Sequence, residues 1–403
     1  PVLPGMCLWA GMLVCVVQGF SSQRRLWRLL TQLGLWHYPR FPVSSQAVYK
    51  RLAQSGTAPM EDLLRQVSAV LDERLTPLLP RLGPDLAPFA SAVVSLGEST
   101  LDPLARRLPG QGERHLPGKL AGVFDLRRQQ WHSVQFIPDA QQNEKVAARA
   151  LVASLPPRSL IVADLGYFSF RWFDDLTNGG HLWISRLRRK TSYTVVHTFS
   201  QHGDTFDGLV WLGAHRADRA AHLVRLVRFR HGAQIRQYVT NVRSPETLPV
   251  AEIARLYARR WDIEMAFQLV KEHLGLAVWW SSKDVVVQQQ LFAVLIIAQI
   301  VQALRLEIAA RAEVELFEVS LPLLVQYLPE FAARGEDPVA AFVARGRAAG
   351  FIRPSRRIQI TAPDPPLDIA WSLHAVDLLR QPRYAGRKCG PHTDRVPGVL
   401  TND

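Results

Sequence analysis

The segment SLIVADLGYFSF, residues 159–170, constrains the fold more than any other. Its apolar run is too short for a helix and does not alternate, the pattern of a buried strand, and it closes on a carboxylate, Asp164. Folds that mix such strands with helices place their ligand sites beyond the carboxyl ends of the strands. Asp164 therefore stands where an α/β fold builds a site, although as the N-cap of the next segment it would serve structure alone.

The preceding segments extend this to an α/β core over residues 86–180. From about Pro88 the chain shows short β-like runs, FASAVVSLGEST and then LAGVFDLRRQQWHSVQF, whose apolar halves meet at a polar Arg127–Gln130 turn and predict a hairpin. A helix is expected at about Asn143 to Leu155, giving the order β-β-β-α-β. Residues 181–246 read differently: TSYTVVHTF and LVRLVRFRH alternate, as an all-β insertion would, with Arg228 and Arg230 on one face of the second run. Residues 247–300 return to the core with a long helix.

Helical regions are expected at both ends. In residues 1–85, GFSSQRRLWRLL and FPVSSQAVYKRLAQSG carry serine-led helix starts. They fit a helix-turn-helix that binds DNA, or a plain bundle packed on Val48, Tyr49 and Leu52 with Lys50 and Arg51 solvated. Residues 301–403 are helical and then run into a Pro/Gly-rich basic tail, QPRYAGRKCGPHTDRVPGV, expected to be poorly ordered.

Charge narrows the partner. With 48 Lys+Arg against 35 Asp+Glu the 403-residue chain carries +13, which favours a polyanion such as nucleic acid over an anionic membrane surface. Cys7, Cys15 and Cys389 show no CxxC spacing, so neither a disulfide framework nor a zinc site is expected, and a reducing cytosol suits them. The apolar runs MCLWAGMLVCVV and LFAVLIIAQIVQAL fall short of the roughly 20 residues that span a bilayer and read as buried helices. The first lacks the basic flank and cleavage site of a signal peptide. The chain opens on Pro1, so at least an initiator is expected upstream.

The long helix, LYARRWDIEMAFQLVKEHLG at 256–275, carries two stripes. At 100° per residue Tyr257, Arg260, Glu264 and Lys271 share a sector of roughly 60°, beside a packing stripe of Leu256, Ile263, Phe267, Val270 and Leu274. A surface helix with an Arg260–Glu264 pair would use the same residues for about 0.2–0.5 kcal/mol. Placed at the core's edge, however, the carboxylate suits a cation, the Arg260 and Lys271 cations suit phosphate oxygens, and Tyr257 can hydrogen-bond the same backbone.

Tyr257, Arg260, Glu264 and Lys271, at gaps of two, three and six residues, resemble the Y-R-E-K signature of bacterial insertion-sequence transposases of the DDE class. ADLGYFSF around Asp164 is similar to the second-aspartate strand of that family, and the hairpin, the β-rich insertion and the RYAGRKCG tail extend the likeness over most of the chain. The resemblance implies an RNase H-like mixed-sheet core interrupted by the insertion. It also implies two aspartates and a glutamate around two Mg²⁺ or Mn²⁺ ions, with Asp164 and Glu264 as metal ligands. Such a site cleaves and rejoins phosphodiesters in line, the metals about 3.5–4 Å apart. The implied partners are double-stranded DNA, as terminal inverted repeats and target, and a second copy of the chain in a synaptic dimer. The implied location is the bacterial cytoplasm, on the nucleoid.

One feature departs from the family. Its first aspartate belongs on the first core strand, which here reads VVSLGESTLD. Either Glu98 replaces it, one methylene longer, or Gly97 does and the ligand is absent; Asp102 and Asp125 are other candidates. Loss of that ligand predicts a transposase impaired at its first acidic position, or a catalytically inactive DNA-binding descendant.

Further candidates carry ordinary alternatives. Arg186, Arg188, Arg189 and Lys190, with Arg228 and Arg230, would line a DNA path or form a solvated charge run. Tyr238 would stack on an unpaired base, as an aromatic near there does in related transposases, or pack in the core. Trp279 and Trp280 face the same choice, and His37, His132, His222 and His273 show no ligand spacing.

Overall fold

The computed structural model describes residues 3–35, 39–83, 85–100, 118–137, 139, 142–214, 218–276, 278–357, 359–363 and 377–384. Asp102, His37, Cys389 and the tail beyond Tyr384 lie outside these.

Nine described strands form one mixed sheet. β1 (Val93–Thr100) pairs antiparallel with β2 (Lys119–Asp125), which turns through Leu126–Gln129 into β3 (Gln130–Ile137). Asp125 accepts the Arg127 and Arg128 amides at 2.8 Å each, so it holds the predicted hairpin turn rather than facing a ligand. After helix α5 (Glu144–Ala153; the earlier helices are α1 to α4), β4 (Leu160–Ala163) returns parallel to β1. Then α6 (Phe170–Asn178) leads to β5 (Leu182–Arg186), parallel to β4. The order 3-2-1-4-5 is the RNase H-like core. β6 (Tyr193–His202), β7 (Thr205–Leu212), β8 (Val224–His231) and β9 (Gln234–Thr240) continue the same sheet, β9 pairing antiparallel with β5. The insertion is thus an extension of the core sheet, and Leu182–Arg186, within the range read as insertion, is the strand on which it grows.

The sheet's faces are separated by alternation along each strand. Val94, Leu96, Ile161 and Ala163 face one apolar cluster, shared with α5 and α6. Val93, Leu160 and Val162 face the other, which holds α7 (Val250–Arg259), α8 (Asp262–Gln268) and α9 (Asp284–Ala312). α10 (Leu321–Arg334) and α11 (Pro338–Arg345) pack on α9, as do α1 (Gly5–Val17), α3 (Ser45–Gln54) and α4 (Ala58–Leu75). α2 (Gln23–Arg28) packs on α1 and α3. Ser22 and Ser44 cap α2 and α3 as their serine-led starts predict.

α9 contains the LFAVLIIAQIVQAL run and is long and apolar enough to cross a membrane, yet 83% of its most apolar window is buried inside the protein. Its glutamines explain why. Gln299 accepts the Trp131 amide at 2.9 Å and donates to the Trp131 carbonyl at 3.0 Å, and Gln289 donates to Leu52 and Gly56. These amides stitch the sheet and the N-terminal helices to one central helix, so Gln289 and Gln299, both buried, find hydrogen-bond partners inside the protein.

Candidate active site

The residues predicted to form one helix, 256–275, form a broken one. α7 ends at Arg259, α8 begins at Asp262, and Leu269–His273 adds a π turn. Side chains from elsewhere occupy the carbonyls at the break: Arg357 donates to Ala258 O at 2.9 Å and Ser95 to Arg260 O at 3.4 Å. Interruptions of this kind break the ladder that sequence periodicity takes as continuous.

Arg260, at the break, joins two predicted ligands. Its Nη1 donates to Glu264 Oε1 at 2.5 Å, and its Nε lies 3.7 Å from Asp164 Oδ1. Glu264 Oε2 is buried without a hydrogen-bond partner among the described residues, and the Asp164 side chain, half exposed, makes no capping bond to the turn it precedes. The cap alternative for Asp164 is therefore not the one adopted. Arg260 is held above the ordinary arginine range by both carboxylates, in spite of its burial.

Gly97 belongs to this place and Glu98 does not. Parallel pairing aligns Ser95 with Val162; carried on for two residues, that register brings Gly97 level with Asp164 on the α8 face. A Cβ at Gly97 would lie 3.0 Å from Ile263 Cδ1 and 3.3 Å from Phe267, on the helix that bears Glu264. Glu98 points to the opposite face, where Lys119 Nζ meets its Oε2 at 2.6 Å. Despite that ion pair, burial raises the Glu98 carboxyl above its usual range, with Glu144 adding to the effect.

Around the pair, Lys271 donates to Ser99 Oγ at 3.1 Å and Thr100 O at 2.9 Å, so it pins α8's extension to β1. Tyr257 is 7% exposed, its hydroxyl buried without a partner among the described residues. Tyr238, tilted against it at 4.9 Å, is 1% exposed, so its ring packs in the core and is closed to a stacking base. Burial raises the pKa of both phenols. Arg228 lies 5.7 Å over Phe206, and Arg230 is paired with Asp204 at 2.6 Å. Arg188 sits over Phe168, whereas Arg186 is close enough to Tyr257 to act on its titration. Trp280 is buried and His222 bonds Asn178 at 2.7 Å.

Sequence reasoning passed over Asp262. At 1% exposure it accepts Arg259 Nε at 2.6 Å, Gln129 Nε2 at 2.8 Å and the Arg357 guanidinium. The three-residue spacing from Arg259 was the only local sign of it; Arg357 is too distant in sequence to signal a contact.

A protein-family model described as a transposase DDE domain matches residues 99–300, half of the chain. The chain belongs to the DDE transposase family. The matched range includes Asp164, Tyr257, Arg260, Glu264 and Lys271 and begins just after Gly97 and Glu98. This transposase is 29% identical over 196 residues to a Sinorhizobium fredii (strain NBRC 101917 / NGR234) protein named "Putative transposase y4zB". The alignment takes in 47% of the present chain and spans about half, 51%, of that relative. Among solved structures, a piggyBac transposase synaptic complex with hairpin DNA aligns over 86% of this chain and 70% of its own, at 8% identity and a TM-score of 0.40. So distant a likeness adds nothing to the family assignment.

Proposed function

We propose that this DDE transposase serves an insertion sequence, binding the element's terminal inverted repeats and target DNA as a dimer, with its cleavage and strand-transfer chemistry impaired at the first acidic position. The observation that carries the reading is the meeting of Asp164 and Glu264 at Arg260, with Gly97 level beside them.

Asp164 and Glu264 have the oxygen donors for one partly hydrated Mg²⁺ or Mn²⁺, and the unpartnered Glu264 Oε2 is consistent with that use. They do not fit a two-metal site. Such a site supplies activation of a water or 3'-hydroxyl and neutralises the leaving oxygen. It needs a further carboxylate, which Gly97 lacks and which Glu98, turned to the other face with Lys119, does not provide. Among the described residues no group of three or more His, Cys, Asp or Glu side chains could hold a metal. The missing carboxylate equally favours a second reading, a catalytically inactive DNA-binding descendant that keeps the basic surfaces.

Cleavage of a labelled duplex carrying the element's end, in Mg²⁺ and then Mn²⁺, separates these. Gly97→Asp is expected to raise cleavage by about 100-fold or more, and Glu264→Ala to abolish it in that background. Ile263 and Phe267 must yield a few tenths of an ångström to the new side chain, so a thermal melt accompanies the assay. Cleavage by the unaltered chain that is lost in Glu98→Ala and unchanged by Gly97→Asp would reject the assignment of position 97. Binding without cleavage in both chains would leave the second reading.

A further inference from the structure

Trp261, whose ring lies 5.8 Å from the Arg260 guanidinium, also lines a cleft of about 540 Å³ between α8, α9, β9 and residues 355–357 and 360. Its charge is unbalanced. Arg236, Arg305, Arg356 and Arg357 line it, against Asp262, the single carboxylate among its described lining residues, which already accepts from Arg259, Arg357 and Gln129.

Several of its polar groups are buried and lack partners among the described residues. Among the described residues, Gln302, 3% exposed, has no donor to its Oε1, and the buried Arg236 Nε has no acceptor. Arg305, one turn after Gln302 on α9, is 8% exposed, and its Nε donates to Val319 O at 3.1 Å. Burial without a carboxylate of its own pushes its pKa down to about 10. Buried groups of this kind normally have partners, and here the groups that would complete them are anionic oxygens and a polar edge.

The rest of the lining is not that of a site for a bare anion. Trp261 and Met265, 56% and 45% exposed, give it an apolar lip, and the Phe317 ring lies beneath the Arg305 and Arg357 guanidiniums at 5.2 and 4.0 Å. We propose that the cleft binds a nucleoside phosphate unit: Arg236, Arg305 and Arg356 take the phosphate, the Gln302 amide meets the edge of the base, and Trp261 covers its face. The unit is either a free mononucleotide or one nucleotide of a DNA strand; the chemistry is shared. The inference is independent of the Asp164–Glu264 site and goes beyond its proposed function.

The test is binding to the full chain in EDTA, so that failure of metal-dependent cleavage does not bear on it. Isothermal titration with deoxyadenosine monophosphate is expected to show saturable binding, with deoxyadenosine and inorganic phosphate each weaker by about tenfold or more. Arg356→Ser, at an exposed position, and Gln302→Leu, which removes an unpartnered acceptor, are each expected to weaken it about tenfold with unchanged circular dichroism. A labelled mononucleotide displaced more readily by a short single strand than by free mononucleotide assigns the strand as the source. The reverse assigns the free nucleotide. Absence of saturable binding by both probes, or binding that neither substitution alters, would overturn the proposal.

Discussion

At the scale of the residue, neighbours on one strand differ in what they can do. Gly97 and Glu98 are adjacent, yet pleating sends one towards α8 and the other towards Lys119. Because burial raises the Glu98 pKa above its ordinary value of 4.5, the folded protein holds that proton more tightly than the unfolded chain. Its contribution to stability is thus full below pH 4.5 and lost as pH rises through the folded value. Replacing it by Gln should flatten the pH dependence of the denaturation midpoint just above 4.5; an unchanged profile would show that Glu98 does not titrate there. Tyr257→Phe removes a buried hydroxyl with no partner among the described residues and is expected to leave stability unchanged or raise it by up to about 1 kcal/mol. If that hydroxyl donates to DNA, affinity for the duplex falls in the same variant.

At the scale of the element, the insertion and the signature helix are tied by one buried ion pair. Arg225, on β8, meets Asp207, on β7, through two bonds of 2.6 Å, and also donates to Leu248 O at 2.6 Å and Ser244 O at 3.3 Å, on the approach to α7. Both side chains are fully buried. Arg225→Met strands the carboxylate and is expected to cost about 3–5 kcal/mol in urea denaturation, with Asp207→Leu in addition recovering much of the loss. A cost below about 1 kcal/mol would mean that the pair does not anchor the helix. The break at Arg260 is also a property of elements meeting, since Ser95 and Arg357 supply its bonds from β1 and from the C-terminal segment.

At the scale of the whole molecule, a charge of +13 predicts DNA affinity that falls steeply with salt. Lys50 and Arg51 are exposed on α3, whose buried face is Val48 and Leu52. If these cations meet phosphate, Lys50→Ser and Arg51→Ser each reduce the slope of log affinity against log salt by about one; identical slopes would leave the N-terminal helices as a bundle only. What the sequence alone determined is what local pattern controls. Residue periodicity carried the hairpin, the β-β-β-α-β order, the alternating strands after residue 181 and the serine-capped helices, because a strand's or a helix's exposure pattern is written into neighbouring residues. It also carried Asp164 to a strand's carboxyl end and put Glu264 one helical turn from Arg260. Tertiary structure alone decided which of Gly97 and Glu98 stands beside Asp164, that Tyr238 is closed off by Tyr257, that Asp262 binds Arg357, and that the predicted helix breaks. Those outcomes depend on strand register and on partners up to 165 residues apart, which no local pattern encodes.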